Sequence, residues 1–455
     1  MKNLDTLKEF IKNQKYRYFI TTYGCQMNEH ESEKIAGMLE SIGYAPADSK
    51  ENADIIIFNT CCVRENAEKK TFSNIGAIKH LKEQKPHLKV VVCGCMTQQS
   101  DMAKKTNKTF GFVDIVIGTH NIHTLPELIA ERFENEDKKR ICSVWEEEGQ
   151  VVEGVPIKRN EHFAAGVNIM YGCNNFCSYC IVPYVRGRER SRTPEHIIEE
   201  IKNLEAQGKK EIMLLGQNVN SYGAGTDCDF SRLLSMVCEE TSVPRIRFMT
   251  SHPKDLSDSL IDVIARYPQI CNHIHLPVQS GSTQILKVMN RKYTRDDYLR
   301  LVERIRNKIP NVALTTDIII GFPGETDRDF EDTISLVEKV RYDAAFTFVY
   351  SKRSGTIAAK MENQVAEDIK SQRIARLAEV QNAITEAVNK SYEGSVQRVL
   401  VEDVSTRNDS DVCGKSECFK TVNFSGSKDL IGKFCDVEIT KGKKTTLYGK
   451  LLKEY

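Results

Sequence analysis

The sequence predicts an α/β protein with three parts: a doubly wound parallel sheet, a partial (β/α)6 barrel and a small all-β barrel. Strand and helix signals alternate through the first part of the chain, and six further strand–helix units follow them. Short, closely spaced strands fill the end of the chain. A polar stretch without periodicity, residues 146–150, separates the first two parts. We therefore expect domains at residues 15–145, 155–385 and 386–455.

The composition is that of an ordinary globular protein, with 28% charged residues, 40% hydrophobic residues and a net charge of +1. Any basic surface for a nucleic acid must therefore be local. The first residues, Met1 to Asp5, lack the apolar segment of a signal peptide, and the longest apolar runs are only strand-length. We expect a cytoplasmic protein that does not contact a membrane. In that reducing compartment, clustered cysteines are metal ligands rather than disulfides.

The first domain has cysteines at the ends of predicted strands. Cys25, Cys61 and Cys95 each follow such a strand. Ligands of open α/β sheets sit outside the carboxyl ends of the strands, so we expect these three thiols to converge on one site. Three thiolates on a 4Fe-4S cluster leave one iron open. The strands are predicted at 18–22, 54–58, 89–92 and 114–117, with helices at 31–42 and 65–83.

Each of these cysteines has a simpler alternative, because a free cysteine is commonly a small buried hydrophobe. Two further cysteines lie nearby in sequence. We expect the side chain of Cys62 to point away from that of Cys61, as neighbours do in an extended chain. Cys93 lies inside its strand and is expected to be structural. Cys142 is expected to lie in a linker without partners.

The central domain begins with an apolar run and three closely spaced cysteines, Cys173, Cys177 and Cys180. Zinc needs four ligands, and no local fourth Cys or His completes this set. A 4Fe-4S cluster on three thiolates leaves one iron open to bind a cofactor, S-adenosylmethionine (SAM). The alternatives are three incidental cysteines or half a zinc site. With an aromatic residue between its last two cysteines, the C-x3-C-x2-C spacing resembles the radical-SAM superfamily.

Six predicted strands separated by helices fit a partial (β/α)6 barrel, the fold that this resemblance implies. The cysteine loop follows the first strand, at the barrel end where such folds keep their active sites. The strands are predicted at 166–170, 211–215, 245–249, 272–276, 313–320 and 345–350. The helices between them include 194–206, 255–267 and 297–307.

Loops that follow other barrel strands offer groups for binding SAM. Gly321, Gly324 and Glu325 follow an apolar strand, and glycines there let a ligand approach the backbone closely. This stretch resembles the superfamily's G-x-I-x-G-x-x-E region, although residues 317–320 depart from its first glycine. A plain strand–helix turn and helix capping are the alternatives. The side chains after other strands that we assign to SAM are Gln217, Gln279 and Ser280.

Four arginines at alternate positions follow the cysteine loop: Arg186, Arg188, Arg190 and Arg192. Arginine binds phosphates and stacks on unpaired bases, so their place beside the predicted cluster favours contact with RNA. A solvated surface is the alternative, since most charged runs are of that kind.

The last domain follows a helix at 368–389 and resembles a TRAM domain, an RNA-binding module. Its strands suggest a small barrel of the size of an OB fold. Lys415, Lys443 and Lys444 supply positive charge for a phosphate backbone. Acidic residues nearly balance that charge, so composition alone does not establish RNA binding. The strands are predicted at 396–404, 420–423, 434–439 and 445–451.

Short motifs in the first domain are similar to those of the methylthiotransferases, and the similarity extends over nearly the whole chain. They are Tyr23-Gly24-Cys25-Gln26-Met27-Asn28, Asn59-Thr60-Cys61, Val63-Arg64-Glu65 and Gly94-Cys95-Met96. The resemblance implies a second, auxiliary 4Fe-4S cluster on Cys25, Cys61 and Cys95 that takes part in sulfur donation. Within the family, the first motif and residues 62–67 are most similar to members that act on N6-isopentenyladenosine in tRNA.

The resemblance implies methylthiolation of carbon 2 of N6-isopentenyladenosine, next to the anticodon of tRNA. It also implies that SAM is used twice, as methyl donor and as source of a 5′-deoxyadenosyl radical. The radical is needed because carbon 2 is an unactivated C–H. The two clusters themselves perform the chemistry, and no separate acid or base is assigned. The expected partners are tRNA, an external electron donor and a supplier of sulfur or clusters, and we expect a monomer.

Two other functions stay open at this point. A sister methylthiotransferase acts on threonylcarbamoyladenosine in tRNA or on an aspartate of a ribosomal protein, and the same six cysteines serve all three reactions. A protein of another class, an RNA-binding iron–sulfur sensor or electron carrier, performs no turnover. Reduction in the presence of SAM separates the two classes, because a sensor forms no 5′-deoxyadenosine.

Overall fold

The computed structural model describes residues 4–62, 65–134, 140–147, 149–159, 163–406, 408 and 410–455, except for the side chains of 65–67. The Val63-Arg64 part of the third motif therefore lies outside the described residues. The chain forms two compact units. The first unit contains Met1–Glu161, Met170–Asn174 and Ile181–Arg192, and the second contains His162–Ile169, Asn175–Cys180 and Thr193–Tyr455.

The first unit is built on a parallel sheet with helices on both faces. Its elements up to residue 143 are α1 (Leu4–Gln14), β1 (Arg17–Thr22), α2 (Gln26–Ser41), β2 (Ala45–Pro46), β3 (Ile55–Thr60), α3 (Glu65–Ala77), α4 (Lys79–Gln84), β4 (Lys89–Gly94), α5 (Cys95–Gln98), α6 (Ser100–Thr109), β5 (Ile115–Ile117), α7 (Leu125–Glu134) and β6 (Ile141–Ser143). The strand order is β2-β1-β3-β4-β5-β6, and all the pairs are parallel. This arrangement confirms the predicted doubly wound sheet.

The hydrophobic core of this unit has two halves, one on each face of the sheet. Strands β3 and β4 are buried along their whole length, as central strands of parallel sheets are. Successive side chains of a strand point to opposite faces. Ile57 accordingly packs with Leu7 and Leu125, whereas its neighbour Phe58 packs with Ile75 on the other face. The carboxyl edge of the sheet thus lies between two packed layers and can hold a functional site.

The chain next supplies elements to both units. These are β7 (Ala164–Asn168) in the second unit, and β8 (Met170–Tyr171), α8 (Val182–Arg186) and β9 (Arg190–Ser191) in the first. Strands β8 and β9 pair in antiparallel fashion. Ile181 and Val185 pack into the core of the first unit beside α5 and β4. The stretch that follows the cysteine loop is therefore structurally part of the first unit.

The second unit contains the partial barrel. Its elements are α9 (Pro194–Ala206), β10 (Glu211–Leu215), α10 (Phe230–Glu240), β11 (Arg245–Phe248), α11 (Asp258–Arg266), β12 (His273–His275), α12 (Thr283–Val288), α13 (Arg295–Lys308), β13 (Ala313–Ile320), α14 (Asp327–Val340), β14 (Ala344–Val349) and α15 (Glu367–Lys390). The orders β7-β10-β11 and β12-β13-β14 are parallel, and a bridge between Ile246 and Ile270 joins the two halves. The predicted partial (β/α)6 barrel is confirmed.

A closed five-stranded barrel ends the second unit and confirms the predicted small all-β barrel. Its strands are β15 (Val396–Val404), β16 (Asp411–Ser416), β17 (Thr421–Ser425), β18 (Phe434–Gly442) and β19 (Leu447–Glu454), in the order β15-β16-β17-β19-β18. Strand β16 was not predicted, because its sequence, Asp-Val-Cys-Gly-Lys-Ser, contains only one branched apolar residue. Its Val412 nevertheless faces the barrel core.

The small barrel packs against the amino ends of the barrel strands through two buried arginines of β11. Arg247 donates hydrogen bonds to the carbonyl oxygens of Ser416 (2.7 Å) and Glu417 (2.8 Å). Its Nε lies 2.9 Å from a carboxylate oxygen of Glu211, the first residue of β10. Arg245 donates to the carbonyl oxygen of Lys415 (2.7 Å). Three backbone carbonyl oxygens at the end of β16 and just after it thus accept hydrogen bonds from two buried arginines.

Rings and an ion pair extend this contact. Phe419 stacks on His273, the first residue of β12, with ring centroids 5.2 Å apart. Lys420 pairs with Asp343, which immediately precedes β14, at 2.8 Å. The small barrel therefore covers the amino end of the larger one, opposite the loops at the carboxyl ends of its strands.

Several features of the first unit differ from the sequence prediction. Helices α1, α5, α6 and α7 were not predicted, and the predicted helix 65–83 is divided into α3 and α4. The edge strands β2 and β6 were missed because strands of two or three residues carry no readable periodicity. The prediction for Cys142 was wrong: it lies in β6, paired in register with Val116, and not in a linker. Among the described residues, no helix is long and apolar enough to cross a membrane.

Candidate metal centres

Three cysteines of the first unit stand where three adjacent strands end. Cys25 follows β1, Cys61 follows β3 and Cys95 follows β4. Cys25 is the residue before the first turn of α2, and Cys95 opens the short helix α5. Cys61 and Cys95 are buried, whereas Cys25 is exposed. The topology therefore brings all three to the same edge of the sheet.

Asn28, from the first turn of α2, links the three cysteine loops. Its Nδ2 donates to the carbonyl oxygens of Tyr23 (2.8 Å) and Thr60 (3.0 Å). Its Oδ1 lies 3.9 Å from Cys95 Sγ, and its own carbonyl accepts a hydrogen bond from Asn59 Nδ2 (2.8 Å). All of these residues except the half-buried Tyr23 are buried, so the hydrogen bonds hold the loop backbones in fixed positions. Sequence reasoning quoted Asn28 in a motif but gave it no role.

A glycine with positive φ precedes two of the three cysteines. Gly24 has φ +120°, and a Cβ there would lie 2.8 Å from the Cβ of Cys61. Gly94 has φ +99°, and a Cβ there would meet the backbone of Thr60, 2.6 Å from its nitrogen. Only glycine combines this conformation with so close an approach. The two glycines allow neighbouring cysteine loops to lie side by side.

We expect Gly94→Ala to destabilise the first unit by more than about 3 kcal/mol, the upper end of what a strained backbone conformation alone costs. The added methyl group meets backbone atoms of Thr60, which have no rotamer to change. Urea unfolding measures the effect, and iron content after reconstitution should fall with it. Gly111→Ala is the matched control, because its Cβ would meet nothing within 4 Å. A loss of stability as small as the control's, within about 1 kcal/mol, would contradict the prediction.

Cys62 does not point away from the site as the sequence predicted. Strand β3 ends at Thr60, so Cys61 and Cys62 are no longer extended neighbours and strict alternation does not apply. The Cys62 thiol hydrogen-bonds Cys95, which raises the pKa of Cys62 well above its usual value. The same hydrogen bond, with the positive charge of Arg186, lowers the pKa of Cys95. Cys93 packs into the core on the other face of the sheet.

Arg186 lies inside the first unit, against Cys95. Its Nε donates to Cys95 Sγ (3.2 Å), and its Nη2 donates to Asn28 Oδ1 (2.8 Å). Both terminal nitrogens donate to the Glu31 carboxylate, at 3.2 and 3.0 Å. The side chain is only 6% exposed. Sequence reasoning assigned Arg186 to RNA, and nothing in the arginine run distinguished it from its neighbours.

The other predicted RNA contacts occupy varied positions. Arg188 is exposed. Arg190 is half-buried and donates to the carbonyl oxygen of Arg186 (3.0 Å), and Arg192 is buried in an ion pair with Glu153 (2.8 Å). In the small barrel, the Lys415 ammonium donates to Thr421 Oγ1, the Lys443 ammonium lies 4.7 Å from the centre of the Tyr448 ring, and Lys444 is exposed.

The loop with Cys177 and Cys180 is held by α12 and the residues after it. Asn290 Nδ2 donates to the carbonyl oxygen of Phe176 (2.9 Å), and Ser178 N donates to that of Met289 (3.0 Å). Arg291, which is 7% exposed, donates from Nη1 to Cys177 Sγ (3.5 Å). The charges of Tyr293, Tyr179 and Cys177 raise the pKa of Arg291 well above its usual value, although burial opposes this. Cys173 belongs to the first unit, where its N donates to the carbonyl oxygen of Gly187 (3.0 Å).

The residues predicted to bind SAM follow the carboxyl ends of β10 and β13 and the segment after β12. Gln217 is half-buried, and Gln279 has φ +68° and pairs through its backbone with Asp317 and Ile319. Ser280 is buried and its Oγ accepts a hydrogen bond from Ser282 N.

The glycine turn after β13 is tied to α15. Gly321 N donates to the Glu325 carboxylate (2.9 Å), which also accepts from Arg373 (2.7 Å). Burial raises the pKa of Glu325, against the opposing effect of these partners. Gly324 has open space where a Cβ would point. The Glu325 side chain thus closes the turn, and the assignment of this turn to SAM stays a prediction.

The donor chemistry of both thiol sets fits an iron–sulfur cluster. Thiolates are the ligands such clusters use, and each set has a buried arginine that donates to one sulfur, Arg186 to Cys95 and Arg291 to Cys177. A cation at hydrogen-bond distance favours the thiolate over the thiol. In the part of the chain that the structure describes, no three or more His, Cys, Asp and Glu side chains are gathered closely enough to hold a single metal ion.

Family models match three segments of the chain. The Radical SAM superfamily matches residues 167–337, the family described as Uncharacterized protein family UPF0004 matches 17–118, and the TRAM domain matches 390–452. Among solved structures, the radical S-adenosylmethionine methyltransferase TsrM from Kitasatospora setae has a TM-score of 0.57 at 15% identity, over 76% of this chain and 77% of that one. That likeness shows the fold alone.

Curated relatives match over nearly their whole length. A tRNA-2-methylthio-N(6)-dimethylallyladenosine synthase of Clostridium tetani (strain Massachusetts / E88) is 54% identical over 441 residues, 96% of this chain and 97% of the relative. The enzyme of the same name from Acetivibrio thermocellus is 51% identical over 455 residues, 100% of this chain and 94% of the relative. The second match therefore spans every cysteine described above.

Proposed function

The chain belongs to the family of tRNA-2-methylthio-N(6)-dimethylallyladenosine synthases, and we propose from this membership that it methylthiolates carbon 2 of N6-isopentenyladenosine in tRNA. The observation that carries the proposal is 51% identity over the full chain, which includes both cysteine sets. The Radical SAM match supports the radical route that an unactivated C–H requires. It is an enzyme of the class that transfers alkylthio groups.

The protein uses two 4Fe-4S clusters and SAM. When bound, they supply the methyl group and the 5′-deoxyadenosyl radical. We assign Cys173, Cys177 and Cys180 to the radical-SAM cluster. Cys25, Cys61 and Cys95 are assigned to the auxiliary cluster, where sulfur is donated. Arg291 donates a hydrogen bond to the sulfur of Cys177 and Arg186 donates one to the sulfur of Cys95, and Asn28 fixes the loops that carry the auxiliary thiols.

The remaining site residues bind and orient SAM and tRNA. Gly324 exposes backbone to SAM, and Gly321 and Glu325 shape the turn through the hydrogen bond between them. Gln217, Gln279 and Ser280 complete the proposed SAM site. For tRNA we retain Arg188, Arg190 and the three lysines, because the guanidinium groups of Arg186 and Arg192 are both buried in ion pairs inside the first unit. An unstacked base of the single-stranded anticodon loop reaches such a site at modest cost.

The remaining assignments concern organisation and partners. The protein works in the cytoplasm as a monomer, with domains at 15–145, 155–385 and 386–455. An external donor supplies the electron for SAM cleavage, and a separate protein supplies sulfur or preformed clusters. The TRAM match at residues 390–452 supports tRNA as the macromolecular substrate.

Anaerobic reconstitution followed by incubation with SAM, reductant and tRNA carrying isopentenyladenosine tests the proposal. Mass spectrometry of the digested nucleosides should show the methylthio increment on that base. Formation of 5′-deoxyadenosine without this product would keep the radical enzyme and move the substrate to threonylcarbamoyladenosine or a ribosomal protein. Neither product, from protein that holds about eight irons as two such clusters require, would leave an iron–sulfur sensor.

A further inference from the structure

A buried ion pair contacts one of the three auxiliary thiols, that of Cys95. Arg186 and Glu31 are 6% and 8% exposed, and two hydrogen bonds of 3.2 and 3.0 Å join them. The remaining guanidinium contacts are with Cys95 Sγ (3.2 Å) and Asn28 Oδ1 (2.8 Å). The pair is therefore oriented toward the sulfur site.

The charge on Arg186 is fixed, because guanidinium does not lose its proton in proteins. Burial works against this charge, but the negative charges of Cys95, Glu31 and Cys25 outweigh it and raise the pKa of Arg186 well above its usual value. With water excluded, such a charge acts strongly on its neighbours. Glu31 balances part of it, bound to the two terminal nitrogens while Nε donates to the sulfur.

A cluster held by three thiolates becomes more negative by one charge when it is reduced. Net charge and hydrogen bonds to the sulfurs are the levers by which a protein sets a cluster's reduction potential. A buried cation that donates to a ligand sulfur stabilises the reduced form, and a nearby carboxylate opposes it. The two members of the ion pair therefore act in opposite directions.

We propose that Arg186 is a positioning residue of the auxiliary site, which fixes Cys95 and raises the reduction potential of the cluster held by Cys25, Cys61 and Cys95, and that Glu31 moderates this effect. The inference rests on the cluster assignment under the proposed function. Arg186 follows Cys180 by only six residues, so the chain that carries the radical-SAM cysteines also supplies the charge to the auxiliary site.

The test uses the full chain with Cys173, Cys177 and Cys180 replaced by alanine, so that only the auxiliary cluster is reconstituted. An EPR-monitored redox titration then gives its potential. We expect Arg186→Gln to shift the potential downward and Glu31→Gln to shift it upward. Arg186→Lys keeps the charge and should stay closer to the parent. In chelator competition, Arg186→Gln should release iron about tenfold to a hundredfold more readily.

Arg192→Gln is the matched control, since it also removes a buried, ion-paired arginine from the same segment but one whose partner is Glu153. It should leave the potential unchanged. If Arg186→Gln also leaves the potential unchanged, or if both members of the pair shift it in the same direction, the proposal is overturned. Should Arg186→Gln not fold, Glu31→Gln and Arg186→Lys decide alone. A parent that binds no cluster would instead overturn the auxiliary cluster assignment, and this inference with it.

Discussion

Replacement of Cys95 by alanine should abolish methylthiolation and leave the formation of 5′-deoxyadenosine intact. Cys95 opens α5 at the end of β4, where Cys62 and Arg186 favour its thiolate form. Loss of residues that merely support metal ligands typically costs about tenfold to a hundredfold, so loss of a ligand should cost more than about a hundredfold. Mass spectrometry of the nucleosides and chromatography of 5′-deoxyadenosine measure the two outcomes in one reaction.

Three further cysteine variants serve as comparisons for Cys95→Ala. Cys173→Ala should eliminate both products, because SAM is then no longer cleaved. Cys142→Ala should retain both, since Cys142 lies on the edge strand β6 and not at the carboxyl edge with the three thiols. Cys62→Ala removes a hydrogen bond to Cys95 and a sulfur from the core, but no proposed ligand, and should lower methylthiolation without abolishing it. If Cys95→Ala kept normal methylthiolation, the auxiliary site would have to be assigned to other residues.

Much of the fold could be predicted because the decisive signals are local. Strands β10, β13 and β15 were predicted to the residue, since their apolar or β-branched runs are bounded by polar residues or glycine. Helix α9 was predicted equally well, with a proline in its first turn. The edge strands and β16 were missed, because their pairing is set by tertiary neighbours and not by their own pattern.

The sequence predicted where the three cysteines of the first unit lie, but not the contacts that surround them. The placement of Cys25, Cys61 and Cys95 followed from strand topology, since parallel strands deliver their carboxyl ends to one edge. The role of Arg186 did not follow, because four arginines at alternate positions look alike until burial separates them. The orientation of Cys62 was wrong because strand β3 stops one residue before the pair of cysteines. The direction in which the chain continues after a strand depends on tertiary contacts, which the sequence pattern does not show.

The contact between the two barrels of the second unit is where we expect the largest loss of stability. Arg247→Ala should cost about 3–5 kcal/mol, because it removes the nearer cation of the buried Glu211 carboxylate, at 2.9 Å, and leaves it with the more distant Arg245, at 3.9 Å. The same change removes both hydrogen bonds to the turn that contains Ser416 and Glu417. It also removes the guanidinium that lies 4.9 Å from the centre of the Phe419 ring. The small barrel should then detach before the larger one unfolds.

Urea unfolding and limited proteolysis measure this effect together. In Arg247→Ala, we expect cleavage between α15 and β15 at urea concentrations that leave the unsubstituted protein intact. Arg304→Ala is the control, because its pair with Asp258 (3.1 Å) is exposed on both sides and exposed pairs stabilise little. A double variant, Glu211→Gln with Arg247→Ala, should recover part of the loss, since residue 211 then carries no buried charge and Arg245 keeps its hydrogen bond to the carbonyl oxygen of Lys415. If the double variant were as unstable as Arg247→Ala, the hydrogen bonds to the turn, and not the buried charge, would hold the small barrel in place.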